Sequence, residues 1–327
     1  MAGIYPFSTV IAALLDESKP FPARYLDQFS DIDPDHLRQL KKVWQQIPLI
    51  RRKRLLEDLE DLLEKNTLLS FNDLAENLIK DPDAEIREIA IRLLWEVEDI
   101  ERIPTLLEIL NSDPSGSVSA TAAGSLGFFI SLGELEKIPN VLLKRVEEEL
   151  LKAARENPKP LTRRRAIEAL GASSRPEIHD LIVSAYASAD PQWIASALYA
   201  MGRSCDQSWE KQIINRFHHS DESVRLEAIQ AAGELALESA RGPLLRLLED
   251  EEQGSELEHA ILWSLSQIGG EGVREKLESR LETSSDTDED FLEEALENLN
   301  LTNDMASFTL LDVGGYEDQY DDIDGKN

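Results

Sequence analysis

DESVRLEAIQAAG, residues 221–233, reads as one amphipathic helix built to lie against others like itself. Val224, Ala228, Ala231 and Ala232 stand at i, i+4, i+7 and i+8, a single face at the 3.6-residue period. Asp221 ahead of it can accept the orphan amide hydrogens of a first turn. Gly233 closes it, where a left-handed residue is cheap for glycine. The same frame returns in DAEIREIAIRLLW (83–95), KPLTRRRAIEALG (159–171) and DPQWIASALYAMG (190–202). Looser copies are SGSVSATAAGSLG (115–127), GSELEHAILWSLS (254–266) and DEDFLEEALENLN (288–300). Their eighth places are Ala90, Ala122, Ala166, Ala197, Ala228, Ile261 and Ala295, separated by 32, 44, 31, 31, 33 and 34 residues.

A second apolar stripe follows in each unit, anchored sixteen residues past the alanine at Leu106, Ile182, Ile213, Leu244 and Leu277. Each unit is therefore two antiparallel helices, and small residues at the contact place let neighbours approach closely. No such pair buries its own face, so the units must stack into a continuous core. The expected fold is all-α: a right-handed α-solenoid of stacked antiparallel helix pairs. Residues 81–301 hold the seven units, with an insertion in the second over about 128–158, read as a longer connector and a longer second helix. Residues 1–80 are amphipathic without the consensus and are expected to form a divergent helical N-terminal cap. Residues 302–327, with seven acids and one lysine, show no helical period. They are expected to be a disordered acidic tail, with a docked apolar patch at 308–313.

The 327 residues hold 64 acids against 34 bases, a formal net charge of -30. Duplex nucleic acid is excluded as a partner, since phosphate affinity rests on clustered Lys and Arg. One cysteine, Cys205, forms no intramolecular disulfide and no multi-cysteine zinc site. The apolar run at 9–15 is about two turns, too short to span a bilayer, and no basic segment precedes it. A cytoplasmic protein without membrane contact is expected.

The repeats resemble those of HEAT-repeat proteins, specifically the short-period HEAT-like or phycobilin-lyase-type class. The resemblance covers about 81–300 and speaks to fold far more than to function. It implies a ladder between units made by the Asp before each first helix and the Arg near its start, here Asp83 with Arg87 and Asp221 with Arg225. Arg163 keeps only the Arg half, because Lys159 replaces the Asp, and Ile194 breaks the ladder in its unit.

Catalytic constellations are missing from the sequence. Deoxyhypusine hydroxylase resembles this architecture and holds iron with His-Glu dipeptides. None of His36, His179, His218, His219 and His259 is followed by Glu. His218 and His219 point about 100° apart on a helix and are read as capping a helix end rather than sharing a metal. Gly269, Gly270 and Gly272 form a turn with no following Lys-Ser or Lys-Thr for a phosphate loop. Cys205 has no base beside it in the sequence and is read as a bystander. Acid runs at 249–252 and 286–290 lack the spacing of a calcium loop.

What remains is a surface for another protein. Tyr199 and Trp263 share the tenth place, beside the apolar face, and are candidate contacts. Trp193, at the fourth place, is expected in the core. Two basic clusters, Arg51, Arg52 and Arg54 with Lys53, and Arg164 and Arg165 with Arg163, either meet acids of neighbouring units or bind a partner. Residues 246–327 carry 24 acids and 5 bases, while 36–66 carry 8 bases and 5 acids, so a partner with a basic surface would be drawn to the C-terminal end. The function expected is a non-catalytic scaffold or adaptor with no metal and no cofactor. The alternative is a lyase or chaperone-type modifier, as the resemblance to phycobilin lyases implies.

Overall fold

The computed structural model describes residues 5–312, except 67, 95–98, 250–254 and 285. Its described elements are α-helices and short 3-10 turns. The chain divides into two compact units, residues 1–174 and 175–327.

The first unit contains α1 (Phe7–Leu15), α2 (Pro34–Val43), α3 (Leu49–Lys65), α4 (Asn72–Leu78), α5 (Ala84–Arg92), α6 (Ile103–Ser112), α7 (Gly116–Glu134), α8 (Asn140–Glu156) and α9 (Pro160–Leu170). Helices α3, α5, α7 and α9 stack in sequence as a first layer, and α4, α6 and α8 pack against that layer as a second. The second unit repeats the scheme with α10 (Pro176–Tyr186), α11 (Pro191–Arg203), α12 (Glu210–Ile214), α13 (Glu222–Glu234), α14 (Arg241–Leu247), α15 (Ser255–Ile268), α16 (Val273–Thr283) and α17 (Asp286–Asp312). Here α11, α13, α15 and α17 stack, with α12, α14 and α16 behind them.

The eighth places are the axis of each stack: Ala90, Ala122, Ala166, Ala197, Ala228, Ile261 and Ala295 all have 0% exposure. The second-helix anchors Leu106, Ile182, Ile213, Leu244 and Leu277 are buried as well. Asp83, Asp190 and Asp221 cap α5, α11 and α13, accepting from the amides of Glu85, Gln192 and Ser223. Alone among the described helices, α7 is long and apolar enough to cross a bilayer. It lies between α5, α6, α8 and α9, with Leu126 and Ile130 fully buried, so its composition is that of a central core helix.

The glycines at the thirteenth place have a different role from the one expected. None of Gly171, Gly202 and Gly233 is left-handed; Gly171 has φ -53°. A Cβ on Gly202 would stand 3.0 Å from Cα of Ala231, and one on Gly233 would stand 2.8 Å from Cα of Ser264. Gly127 in the first unit meets Cα of Ala169 in the same way, at 3.0 Å. Gly127, Gly202 and Gly233 therefore each seat the eleventh place of the next first helix, and what matters there is the absence of a side chain. Left-handed glycines occur at 269, 270 and 272, in the turn between α15 and α16.

Two further expectations are corrected. The insertion lies mostly within helices: α7 runs 19 residues, to Glu134, and the connector is only 135–139. The tail is also helical at its start, since α17 continues through Asp312. Leu292, Ala295 and Leu299 bury one face of α17, and the Asn298 amide donates to Ser266 Oγ at 2.9 Å, so docking carries the helix onward. Residues 313–327 and the side chains at 308–313 lie outside the described residues.

Candidate functional site: a furrow beside the repeat ladder

The polar ladder holds the first unit in register. Arg87 of α5 donates from Nε and Nη2 to the two carboxylate oxygens of Asp113, at 2.8 and 2.9 Å. Its Nη1 donates back to the carbonyls of Asp81 and Pro82. One step earlier, Arg52 of α3 donates to Asp81, which also accepts from Trp44 Nε1 at 2.8 Å and Gln45 Nε2 at 3.1 Å. The carboxylates are thus Asp81 and Asp113, two residues ahead of each capping place. Asp83 is not the partner of Arg87. It caps α5 and pairs with Lys53.

That place, two before the cap, shares one job in five units. Asp81, Asp113, Asn157, Ser188 and His219 each accept from the backbone amide two residues on, at Asp83, Ser115, Lys159, Asp190 and Asp221. His219 therefore serves as an acceptor through Nδ1 ahead of α13, the reverse of a cationic helix-end cap. Arg225 donates to the His219 carbonyl at 2.9 Å, as Arg87 does to that of Asp81. Ile194, at the Arg place of α11, is buried, and its neighbour Trp193 is only half-buried. With Ile at the ladder Arg place that slot is apolar, and Trp193 is half-buried where the core was expected.

Three other histidines stack on aromatic rings: His36 on Phe7, His179 on Trp209 and His259 against Phe291. Among the described residues no group of three or more His, Cys, Asp or Glu is placed to hold a metal ion. Cys205 is exposed, with φ 53°, in the turn after α11.

The candidate surface residues are spread over both units. Arg52 is buried and lies over the Trp44 ring, so it is not available to a partner. Arg51 donates to the carbonyls of Asp16 and Lys19, fastening the chain after α1 to α3. Arg54 is exposed beside Glu57 and Asp58 of its own helix, and Arg165 pairs with Glu168. Arg164 is half-buried in α9. In the second unit Tyr199 is 37% exposed, and Trp263 is half-buried with its ring 6.3 Å from Phe291.

A recessed surface in the first unit carries little mark in the repeat pattern. Between α4 and α6 two adjoining cavities, each of ≈ 360 Å³, share Ile79, Lys80, Thr105 and Ile109. One reaches along α6 to the Arg87–Asp113 pair, and the other ends on Arg102, Ser125 and Phe129. A smaller recess between α2 and α4 also includes Lys80. Arg102 Nη2 lies 3.3 Å from Glu76, while its Nη1 and Nε are buried without a hydrogen-bond acceptor. Ser125 Oγ is buried and unpartnered too. The one signal in sequence is small: Ser125 takes the eleventh place, which is Ala in three of the seven units. In the second unit Ser264 holds the same place, but its hydroxyl donates to the Ile229 carbonyl at 2.9 Å.

A family model described as HEAT repeats matches residues 71–149 and 210–300. No curated protein matches the sequence. Among solved structures, Escherichia coli YibA is 16% identical, covering 87% of this chain and 99% of that one, at a TM-score of 0.45. Human deoxyhypusine hydroxylase in complex with glycerol is 17% identical, covering 80% and 95%, at 0.35. Importin beta is 15% identical, covering 90% of this chain and 41% of that one, at 0.41. At these scores the likeness carries nothing about activity.

Proposed function

Because the chain belongs to the HEAT-repeat family, we propose that it is a non-catalytic scaffold that holds a partner protein on its second-helix face. The observation that carries this reading is the furrow between α4 and α6. There two adjoining cavities lie over apolar residues such as Ile79, Ile109 and Phe129, and repeat proteins bind through such extended recessed faces. Polar side chains elsewhere support it, because they are committed to structure: Asp81 and Asp113 to the ladder, His219 to a turn. A cytoplasmic site of action is part of the same proposal.

The test is size-exclusion of the tagged full chain from its native lysate, with mass spectrometry across the peak. A stoichiometric protein partner is expected to co-elute at a mass well above that of the chain. Elution as a free chain under gentle conditions would count against a scaffold. A visible absorption band on the purified material would move the reading to the phycobilin-lyase alternative.

A further inference from the structure

Resting on the scaffold reading, we propose that the furrow between α4 and α6 receives a short basic and apolar peptide segment of the partner. Its main-chain carbonyls would face Arg102 and Ser125. Two buried polar groups converge on one end of the furrow without acceptors, Arg102 Nη1 and Ser125 Oγ, and Arg102 Nε makes no hydrogen bond, with only the Asp99 carboxylate near it at 3.6 Å. Ser125 is 8% exposed and the Arg102 side chain 12%. Native proteins rarely leave buried donors unmade, so the site lacks hydrogen-bond acceptors.

The acceptor is not a carboxylate. Glu76 already bonds Arg102, Asp99 lies 3.6 Å from its Nε, and Glu101 lines the same cavity. A further negative charge would be repelled there, whereas neutral peptide carbonyls meet the need. The rim gives the sign of the rest. Glu76, Glu101 and Glu108 are exposed along the furrow, against one exposed base, Lys80. Lysine or arginine side chains flanking the bound segment would meet those acids. Ile79, Ile109 and Phe129 are buried beneath them and supply the floor for one or two apolar anchors. The ten residues of α6 make a track of about 15 Å, the length of four or five extended residues.

The experiment selects phage-displayed random twelve-residue peptides on the full chain. An enriched peptide is then titrated by fluorescence anisotropy. The expected consensus combines apolar residues with Lys or Arg. The double variant Glu101→Lys/Glu108→Lys, whose side chains are exposed, is expected to weaken binding at least tenfold with an unchanged circular dichroism melt. Thr105→Trp, which fills the part common to both cavities, is expected to abolish it. An acidic consensus, no enrichment, or unchanged affinity in the double variant overturns the proposal. Those results leave the scaffold reading to be judged by co-elution of the native partner, which does not depend on which face binds.

Discussion

Arg87 and Asp113 form a forked ion pair between consecutive units, with both carboxylate oxygens engaged and both side chains largely buried. Removing one member strands the other charge in a poorly hydrated seam. Arg87→Ala is therefore expected to cost about 3 kcal/mol at neutral pH, measured by urea denaturation. A loss below about 1 kcal/mol would show that the ladder is ornamental.

The same pair sets a pH dependence. Burial pushes the Asp113 carboxyl up, but the bonds from Arg87 and the Ser115 amide, with the charges of Arg87 and Lys159, hold it below its ordinary value. A carboxyl depressed by folding adds stability above its unfolded pKa, about 3.9, and that stability is lost as pH falls through the folded value. Asp113→Asn is expected to be less stable at pH 7 yet to lose less on acidification than the parent. Parallel pH curves for the two proteins would refute the assignment.

Two glycines should respond to alanine with opposite signs. At Gly233 the added Cβ meets Ser264 backbone at 2.8 Å, so overpacking of about 2 kcal/mol outweighs the helix-propensity gain. At Gly124, within α7, nothing lies within 4 Å, and Gly124→Ala is expected to stabilise by about 0.5–1 kcal/mol. Thermal melts showing the same sign for both would contradict the close-packing account.

The ladder should be transplantable. Ile194 holds the Arg place, and His219 holds the carboxylate place of the following unit. Ile194→Arg alone buries an uncompensated cation and is expected to cost about 3 kcal/mol. Adding His219→Asp should return at least about 1 kcal/mol of that as coupling in a double-mutant cycle. Strict additivity would mean that the register differs between these units.

Ser125→Ala removes a buried hydroxyl that bonds nothing. Its stability is expected to stay within about 0.5 kcal/mol of the parent, whereas Ser264→Ala, which loses a made bond, should cost about 1 kcal/mol. Denaturation midpoints for the two variants check this directly.

The repeat was legible because stacking helices favour a small residue at a fixed place; six of seven places in one frame are alanine and the seventh is Ile261, all wholly buried. The capping aspartates were legible for a similar reason, as a local bond between a side chain and amides two or three residues on. The ladder was half legible. The spacing marks Arg87, but its carboxylate is Asp113 and not Asp83, because neighbours across a seam carry no mark in a single unit's spacing. The glycines are legible but their cause is not, since close approach and left-handed backbone select the same residue.

By itself, then, the sequence determined that this chain is a run of stacked helix pairs, because periodicity and residue size act locally and repeat in every unit. Tertiary structure alone decided where charge is consumed and where it is left over. Arg52 vanished into the ladder, α17 was carried past residue 301 by docking, and Arg102, from the turn before α6, and Ser125 of α7 converged on one furrow. Hydrogen-bond satisfaction is a property of three-dimensional neighbours, and residues 23 apart in the chain share no local pattern that would announce it.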